Sequence, residues 1–224
     1  MTKALVSLSG GIDSAVTLLL ALEQKREVVA FGFYYGSKHN FYENGAALKI
    51  CRRYKIPFKI INIEEVMRDF KSALLLDGGE VPEGDYKEEN MTQTVVPARN
   101  LIFASILAGI AESNGCQEVW MGTHGGDHFI YPDCRPESIT AMSLAINLCT
   151  GGKVHGLVTP IEYMTKAEVV AEGIRLGLAF ELTRTCYKNQ PYACGQCGSC
   201  RERLEAFEKN NYKDPVKYER MTNE

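Results

Sequence analysis

A doubly wound α/β fold, a parallel sheet with helices on both faces, is what this sequence predicts for most of its length. Three observations carry that expectation. Strand-like apolar runs recur at 3–8, 28–34, 58–63 and 119–122, with helical patterns at 14–24, 43–54 and 99–113 between them. Such alternation builds βαβ units and a parallel sheet. The first run ends in a glycine turn that opens straight into an apolar helix. Finally, 224 residues with 45% hydrophobic and 24% charged content suit one α/β domain with a small appendage.

The first strand holds Ala4-Leu5-Val6, and Ser9-Gly10-Gly11-Ile12-Asp13-Ser14 follows it. The apolar stretch Ala15-Val16-Thr17-Leu18-Leu19-Leu20 then opens the helix. A strand, a tight Gly-rich turn and a helix N-terminus make a phosphate cradle, because unpaired backbone N–H groups point at the anion. Ser9 and Ser14 add hydroxyl donors, and Asp13 is placed to hold a metal that bridges phosphates. A Walker loop would need a Lys after its second Gly, and a dinucleotide loop would read G-x-G-x-x-G; neither pattern is present. In such sheets ligands bind beyond the carboxyl ends of the strands, which is where this loop falls.

Farther along, 75–94 carries Gly78-Gly79, Pro82, Gly84 and several acids without periodicity, the mark of a lid or mobile segment. Val95-Val96-Pro97-Ala98-Arg99-Asn100 precedes a helix; its Arg and Asn either touch a ligand or merely cap. Thr165-Lys166-Ala167-Glu168 reads as a capping box for a helix ending near Leu176-Gly177. Lys166 itself is by default an exposed helix residue. A short helix at about 200–210 and a polar tail close the chain. The expected division is a nucleotide-binding domain over 1–180 and a zinc-binding region over 181–224.

A net charge of −3 argues against a duplex or tRNA partner, since phosphate contacts demand a basic face. No apolar run approaches the roughly 20 residues a membrane span needs. The N-terminus enters a strand at once, without a signal peptide, so a reducing, cytoplasmic location is expected. Of eight cysteines, Cys51, Cys116, Cys134 and Cys149 are scattered. Cys186, Cys194, Cys197 and Cys200 instead form a C-x7-C-x2-C-x2-C knuckle, with Gly195 and Gly198 permitting tight turns. Four thiolates suit Zn, closed and structural. An iron–sulfur cluster is the rival, although the fourth ligand lies upstream and no Cys-Pro follows.

The stretch 122–137 follows the fourth strand and gathers Asp127, Tyr131, Asp133, Arg135 and Glu137 with His124 and His128. Carboxylates pair with the N–H edge of a guanine-like base, Arg suits an acidic substituent, and Phe129 or Tyr131 can stack on a ring. The alternative is a solvated loop. His124 and His128 could share a metal only on a helix, which the glycines and Pro132 oppose.

The 9–14 loop looks like the PP-loop of ATP pyrophosphatases, which split ATP into AMP and pyrophosphate. With Tyr35-Gly36, His39 and Glu43, Val96-Pro97-Ala98-Arg99-Asn100, Asp127, the string Tyr131-Pro132-Asp133-Cys134-Arg135-Pro136-Glu137, Lys166 and the cysteine knuckle, the chain resembles the 7-cyano-7-deazaguanine synthase family. It departs at Ser138, where the family usually has an aromatic, and at Arg184, where it has Trp. The resemblance implies an ATP-dependent C–N ligase that turns 7-carboxy-7-deazaguanine and ammonia into the nitrile through adenylated carboxylate and amide. ATP would lie on Ser7, Leu8, Ser9, Gly10, Gly11, Ile12, Asp13 and Ser14, with Asp13, Lys166 and Arg99 catalytic and Mg sharing the phosphate charge. The deazaguanine would be read by His39, Asp127, Tyr131, Asp133, Arg135 and Glu137, and Zn held by the four clustered cysteines. Small-molecule substrates, no nucleic acid, no membrane and a homodimer also follow. The rivals are a relative that stops at the amide, a PP-loop enzyme that thiolates tRNA, and a non-catalytic zinc module.

Overall fold

The centre of the sheet belongs to β1 (Lys3–Ser7), whose Ala4, Leu5 and Val6 have no solvent exposure. The computed structural model describes residues 2–87 and 91–219. Around β1 stand β2 (Glu27–Tyr34), β3 (Phe58–Asn62), β4 (Glu118–Trp120) and β5 (Leu157–Val158), in the order β3-β2-β1-β4-β5 with every pair parallel. Successive side chains point to opposite faces, and both faces are covered. Ala4, Val6, Val28, Ala30 and Trp120 therefore enter one core, and Leu5, Phe31, Phe33 and Val119 the other. A strand buried on both sides must be apolar throughout, which is why β1 reads as a continuous run.

The first core is closed by α1 (Ile12–Glu23), α2 (Asn40–Tyr54) and two later helices; a single turn, α3 (Glu64–Met67), follows β3. On the other face lie α4 (Arg99–Ser113) and α5 (Pro136–Cys149). The chain returns to the first face with α6 (Lys166–Arg175) and α7 (Gly198–Lys209). The doubly wound expectation holds. The sequence carried no expectation for α5, started by Pro136 in its first turn, or for β5, only two residues long.

One expectation needs correction. The stretch Thr92–Ser113, 22 residues, is long and apolar enough by composition to cross a membrane. Its helix α4 instead lays Phe103, Ala104, Leu107, Ala108 and Ala111 into the second core. The Phe103 ring stacks on Phe33 with centroids 3.8 Å apart.

Strand order reverses between β1 and β4, which opens a crevice at their carboxyl ends. Two glycines let backbone meet backbone there. A Cβ on Gly10, whose φ is +92°, would lie 2.5 Å from the Glu43 carbonyl oxygen, and one on Gly122 would lie 2.8 Å from the Asp13 carbonyl carbon. The loops after β1 and β4 and the start of α2 are thereby pressed together.

The capping box forms. Thr165 Oγ1 accepts the Glu168 N–H at 3.3 Å, and Glu168 Oε2 accepts the Thr165 N–H at 2.7 Å. It sets Lys166 as the first residue of α6. Thr165→Ala is expected to cost about 1 kcal/mol, read as a shifted urea midpoint.

Helix α7 joins the first core through Ala206 and Phe207. Its Arg203, with a side chain 2% exposed, grips Asp214 at 2.7 and 2.8 Å and donates to Thr183 Oγ1 at 2.8 Å. The segment 75–94, apart from 88–90, which lie outside the described residues, is strapped down. Lys38 Nζ donates to the carbonyls of Ala73, Gly78 and Gly79. Gly84 N–H donates to Gln196 O at 3.0 Å, and Arg201 pairs with Asp85 at 3.0 Å. This segment thus rests on the cysteine knuckle. Of the polar tail, 220–224 lie outside the described residues.

Candidate active site

The loops after β1, β2 and β4, the first turn of α6 and the first turns of α7 surround one cleft. At one end of the cleft, α1 begins at Gly11 with no side chain capping it, so its first N–H groups are available to an anion. Ser9 Oγ accepts the Gly11 N–H at 3.2 Å and lies 3.1 Å from Ser14 Oγ, which donates to Gly11 O at 3.2 Å. The Arg184 N–H holds Gly10 O at 2.8 Å. These bonds shape the cradle before any ligand arrives.

Lys166 Nζ reaches across the cleft to both Asp13 oxygens, at 2.8 and 2.7 Å, and lies 3.4 Å from Glu202 on α7. Burial raises the Asp13 carboxyl, but the Lys166 ammonium and His124 outweigh it, and the net direction is down. Lys166 runs the opposite way: burial lowers it, and Asp13, Glu202 and Asp127 more than restore the charge. Burial raises Glu202 against the pull of Lys166 and His124. His124 Nδ1 accepts the Gly126 N–H at 3.1 Å, and its Nε2 lies 3.4 Å from Asp127 and 3.9 Å from Glu202. Tyr86 OH closes the network by donating to Asp127 Oδ1 at 2.7 Å.

The opposite wall is built by Tyr35, His39, Glu43, Arg99 and Arg184. Asn40 Oδ1 accepts the N–H groups of Tyr35 and Ser37 at 2.8 and 3.0 Å, tying the first turn of α2 to the end of β2. Arg99 enters α4 behind Ala98, a non-glycine residue at φ +50°. Such backbone costs on the order of 1–3 kcal/mol and clusters at working sites. Burial pushes the Cys134 thiol well up and Cys51 to about 12, and raises Cys116. Only Cys134 of the three lines the cleft, while Cys51 and Cys116 lie in the two cores; a thiol held protonated disfavours nucleophilic sulfur chemistry.

Burial pushes Glu43 up to about 8, with Arg99 and Arg184 opposing, and pushes His39 down to about 3, with both guanidiniums adding. Between about 6.5 and 8, folded Glu43 keeps a proton that the unfolded chain has lost, so its contribution to stability falls as pH rises. Between about 3 and 4.5 His39 acts alone of the pair: the unfolded chain binds the extra proton, and stability rises with pH. In between, the two slopes oppose. Glu43→Gln is expected to flatten the upper limb in chemical denaturation at stepped pH.

Ser7, Ser9, Gly11, Ile12, Asp13, Ser14, His39, Arg99, Asp127, Tyr131 and Lys166 all line this cleft. Leu8 and Gly10 do not: Leu8 is a core residue, and Gly10 serves the close approach to α2. Asp133, Arg135 and Glu137 also stand outside the wall. Asp133 Oδ2 accepts the Asn100 N–H at 2.8 Å at the start of α4, Arg135 Nε donates to His128 O at 2.9 Å, and Glu137 is exposed on the first turn of α5. Ser138 lies outside too, donating to Pro132 O at 2.8 Å. Arg184, by contrast, is built in, its guanidinium 4.9 Å over the Tyr42 ring and bonded to Lys188 O at 2.8 Å. Sequence reasoning missed Glu202, Tyr86 and the part His124 plays; only proximity in space marks them.

The sulfurs of Cys186, Cys194, Cys197 and Cys200 all lie within 4.8 Å of one another and are buried. Backbone N–H groups point at them, Cys194 to Cys186 Sγ at 3.4 Å and Cys197 to Cys194 Sγ at 3.3 Å. Amides aimed at sulfur stabilise thiolates, the form that binds metal. The knuckle carries Tyr187, Ser199 and Glu202 into the cleft wall.

The profile of the family described as "Queuosine biosynthesis protein QueC" matches residues 3–211. A 7-cyano-7-deazaguanine synthase from Marinobacter nauticus is 44% identical over 222 residues, 99% of this chain and all of that one. One from Methanoregula boonei is 42% identical over 217 residues, 97% of this chain and 99% of that one. Among solved structures, NMN synthetase from Francisella tularensis shares the fold with a TM-score of 0.50 at 15% identity, covering 94% of this chain and 78% of its own. Identity at that level, running from one end to the other of both sequences, assigns the chain to the QueC family of queuosine biosynthesis proteins, alongside the 7-cyano-7-deazaguanine synthases.

Proposed function

We propose that this chain is an ATP-dependent C–N ligase that converts 7-carboxy-7-deazaguanine and ammonia to 7-cyano-7-deazaguanine. The end-to-end likeness to synthases of that name carries the reading, and the cradle supports it chemically. A carboxylate oxygen is a very poor leaving group. Attack of that oxygen on the α-phosphorus of ATP makes it part of AMP and releases pyrophosphate; ammonia then forms the amide. A second adenylation on the amide oxygen lets AMP leave again and yields the nitrile. The protein contributes position and charge: α1 and the Ser9 and Ser14 hydroxyls take phosphate oxygens, Lys166 offsets their charge, and Arg99 anchors the acid. Within this reading Asp127, Tyr131 and His39 face the deazaguanine, while Asp133 and Arg135 hold the loop that presents Asp127 and Tyr131.

Mg²⁺ favours oxygen donors, and Asp13 supplies them beside the cradle; a bound ion would share the phosphate charge. Zn suits the knuckle. A tetrahedral site with Zn–S near 2.3 Å has sulfurs about 3.8 Å apart, and the Cys194 and Cys200 sulfurs lie 3.9 Å apart. Four thiolates leave no open position, so this metal would brace the knuckle and the start of α7 without touching the reaction. A cytoplasmic homodimer acting on small molecules, without nucleic acid, completes the proposal.

The test is stoichiometry. Each nitrile is expected to consume two ATP and release two AMP, with the amide rising early and then decaying. One AMP per product, with amide persisting in excess ATP, would show an amide-forming relative instead.

A further inference from the structure

Resting on that functional reading, the geometry points to Glu43 as the proton acceptor for the reacting nitrogen in both halves of the reaction. The chemistry asks for such a group. Ammonium bears four protons and the nitrile nitrogen none, so each half must strip two protons from the same atom. In the first half, ammonium gives a proton to a carboxylate; the freed lone pair forms the C–N bond as the C–O bond to AMP breaks, and the nitrogen sheds its second proton on becoming the neutral amide. In the second, one proton leaves as the amide oxygen bonds to phosphorus and pyrophosphate departs. The last leaves as the C–O bond to AMP breaks and the triple bond closes. One base, standing where the nitrogen stands, can serve every step, returning each proton to water through the open cleft.

Among the described residues, one acid in the cleft is placed for this. Asp13 is held by Lys166, Glu202 lies beside Lys166 and His124, and Asp127 accepts from Tyr86. Glu43 lies on the other wall, its side chain 18% exposed, with His39 Nε2 at 3.5 Å. The Gly10 close approach sets its backbone against the loop after β1, and its side chain lines the same cleft as Ser9, Ser14 and Arg99, the groups that the functional reading gives to phosphate and to the acid. Groups facing it are His39 on its own helix, Tyr35 from the end of β2, Arg99 from α4 and Arg184 from the loop before the knuckle. The guanidiniums suit the anionic acid and repel ammonium; the share of Glu43 that is ionised near its raised pKa, the minority form at about pH 7.5, draws it in. A carboxyl raised to about 8 is a far better acceptor from ammonium than an ordinary one.

The test separates the nucleophiles. At about pH 7.5 hydroxylamine is already neutral, whereas ammonia is almost all ammonium. Glu43→Gln is expected to slow amide formation from ammonium by about 10²-fold or more, but hydroxamate formation from hydroxylamine, which has one proton to lose in place of two, by less than about tenfold. Exchange of labelled pyrophosphate into ATP, dependent on 7-carboxy-7-deazaguanine, should persist. Equal losses with both amines, loss of exchange in the variant, or no loss with ammonium each overturn the assignment. Should Glu43→Gln not fold, Glu43→Asp, which draws the carboxylate back by one methylene, must show the same split. Wild-type protein that exchanges no pyrophosphate overturns the functional reading itself, a failure visible before any variant is made.

Discussion

Asp13→Ala is expected to lower AMP and pyrophosphate release by about 10²–10³-fold, the loss typical when one preorganised charge contact is removed from a water-poor site. Asp13 does two jobs. It stands in the first turn of α1 beside the phosphate cradle, and it holds the Lys166 ammonium through both carboxylate oxygens. Without it, Lys166 keeps one partner, Glu202 at 3.4 Å, so the buried charge is not orphaned and the fold survives. The ammonium is then drawn toward α7 and away from the phosphates. The loss should therefore fall mainly on turnover, with a near-native melting curve. Turnover within a few-fold of the parent would remove Asp13 from the catalytic set.

Cys197→Ser is expected to cost metal, stability and activity together. Zn content should fall from about one per chain, because binding energy at such a site is folding energy. If about 4 kcal/mol is lost, the melting temperature of a chain this size drops by roughly 8–16 °C. Cys197 is the N-cap of α7, and the same helix sends Glu202 into the cleft and Ala206 and Phe207 into the first core. Loosening its start slackens the active-site wall as well. Metal analysis with calorimetry checks the first part. A variant that keeps its metal and its melting point would show that the knuckle holds no structural ion, and a brown protein with iron and labile sulfide would turn the assignment to a cluster.

How much of this protein could be read along the chain follows from the range of each signal. The β1–loop–α1 unit was legible because all its causes are local: an apolar run, two glycines and a helix start within twenty residues. The capping box and the cysteine spacing were legible for the same reason, and so were Asp13, Ser9 and Ser14, which the local turn itself presents. Strand alternation likewise foretold a parallel sheet. Tertiary structure alone decided what crosses between elements. Lys166 reads as an exposed helix residue, yet it is 10% exposed and bonded to a carboxylate 153 positions away. Glu202 and Tyr86 have no local mark and enter the cleft only because the knuckle and the segment over it fold back against the loop after β4, where they meet His124 and Asp127. Asp133 and Arg135 look like base-reading groups in a polar run, but the unpaired N–H at the head of α4 and the carbonyl of His128 claim them first. Local sequence fixes which groups a turn offers; the strand order, reversing beside β1, determines which of them meet.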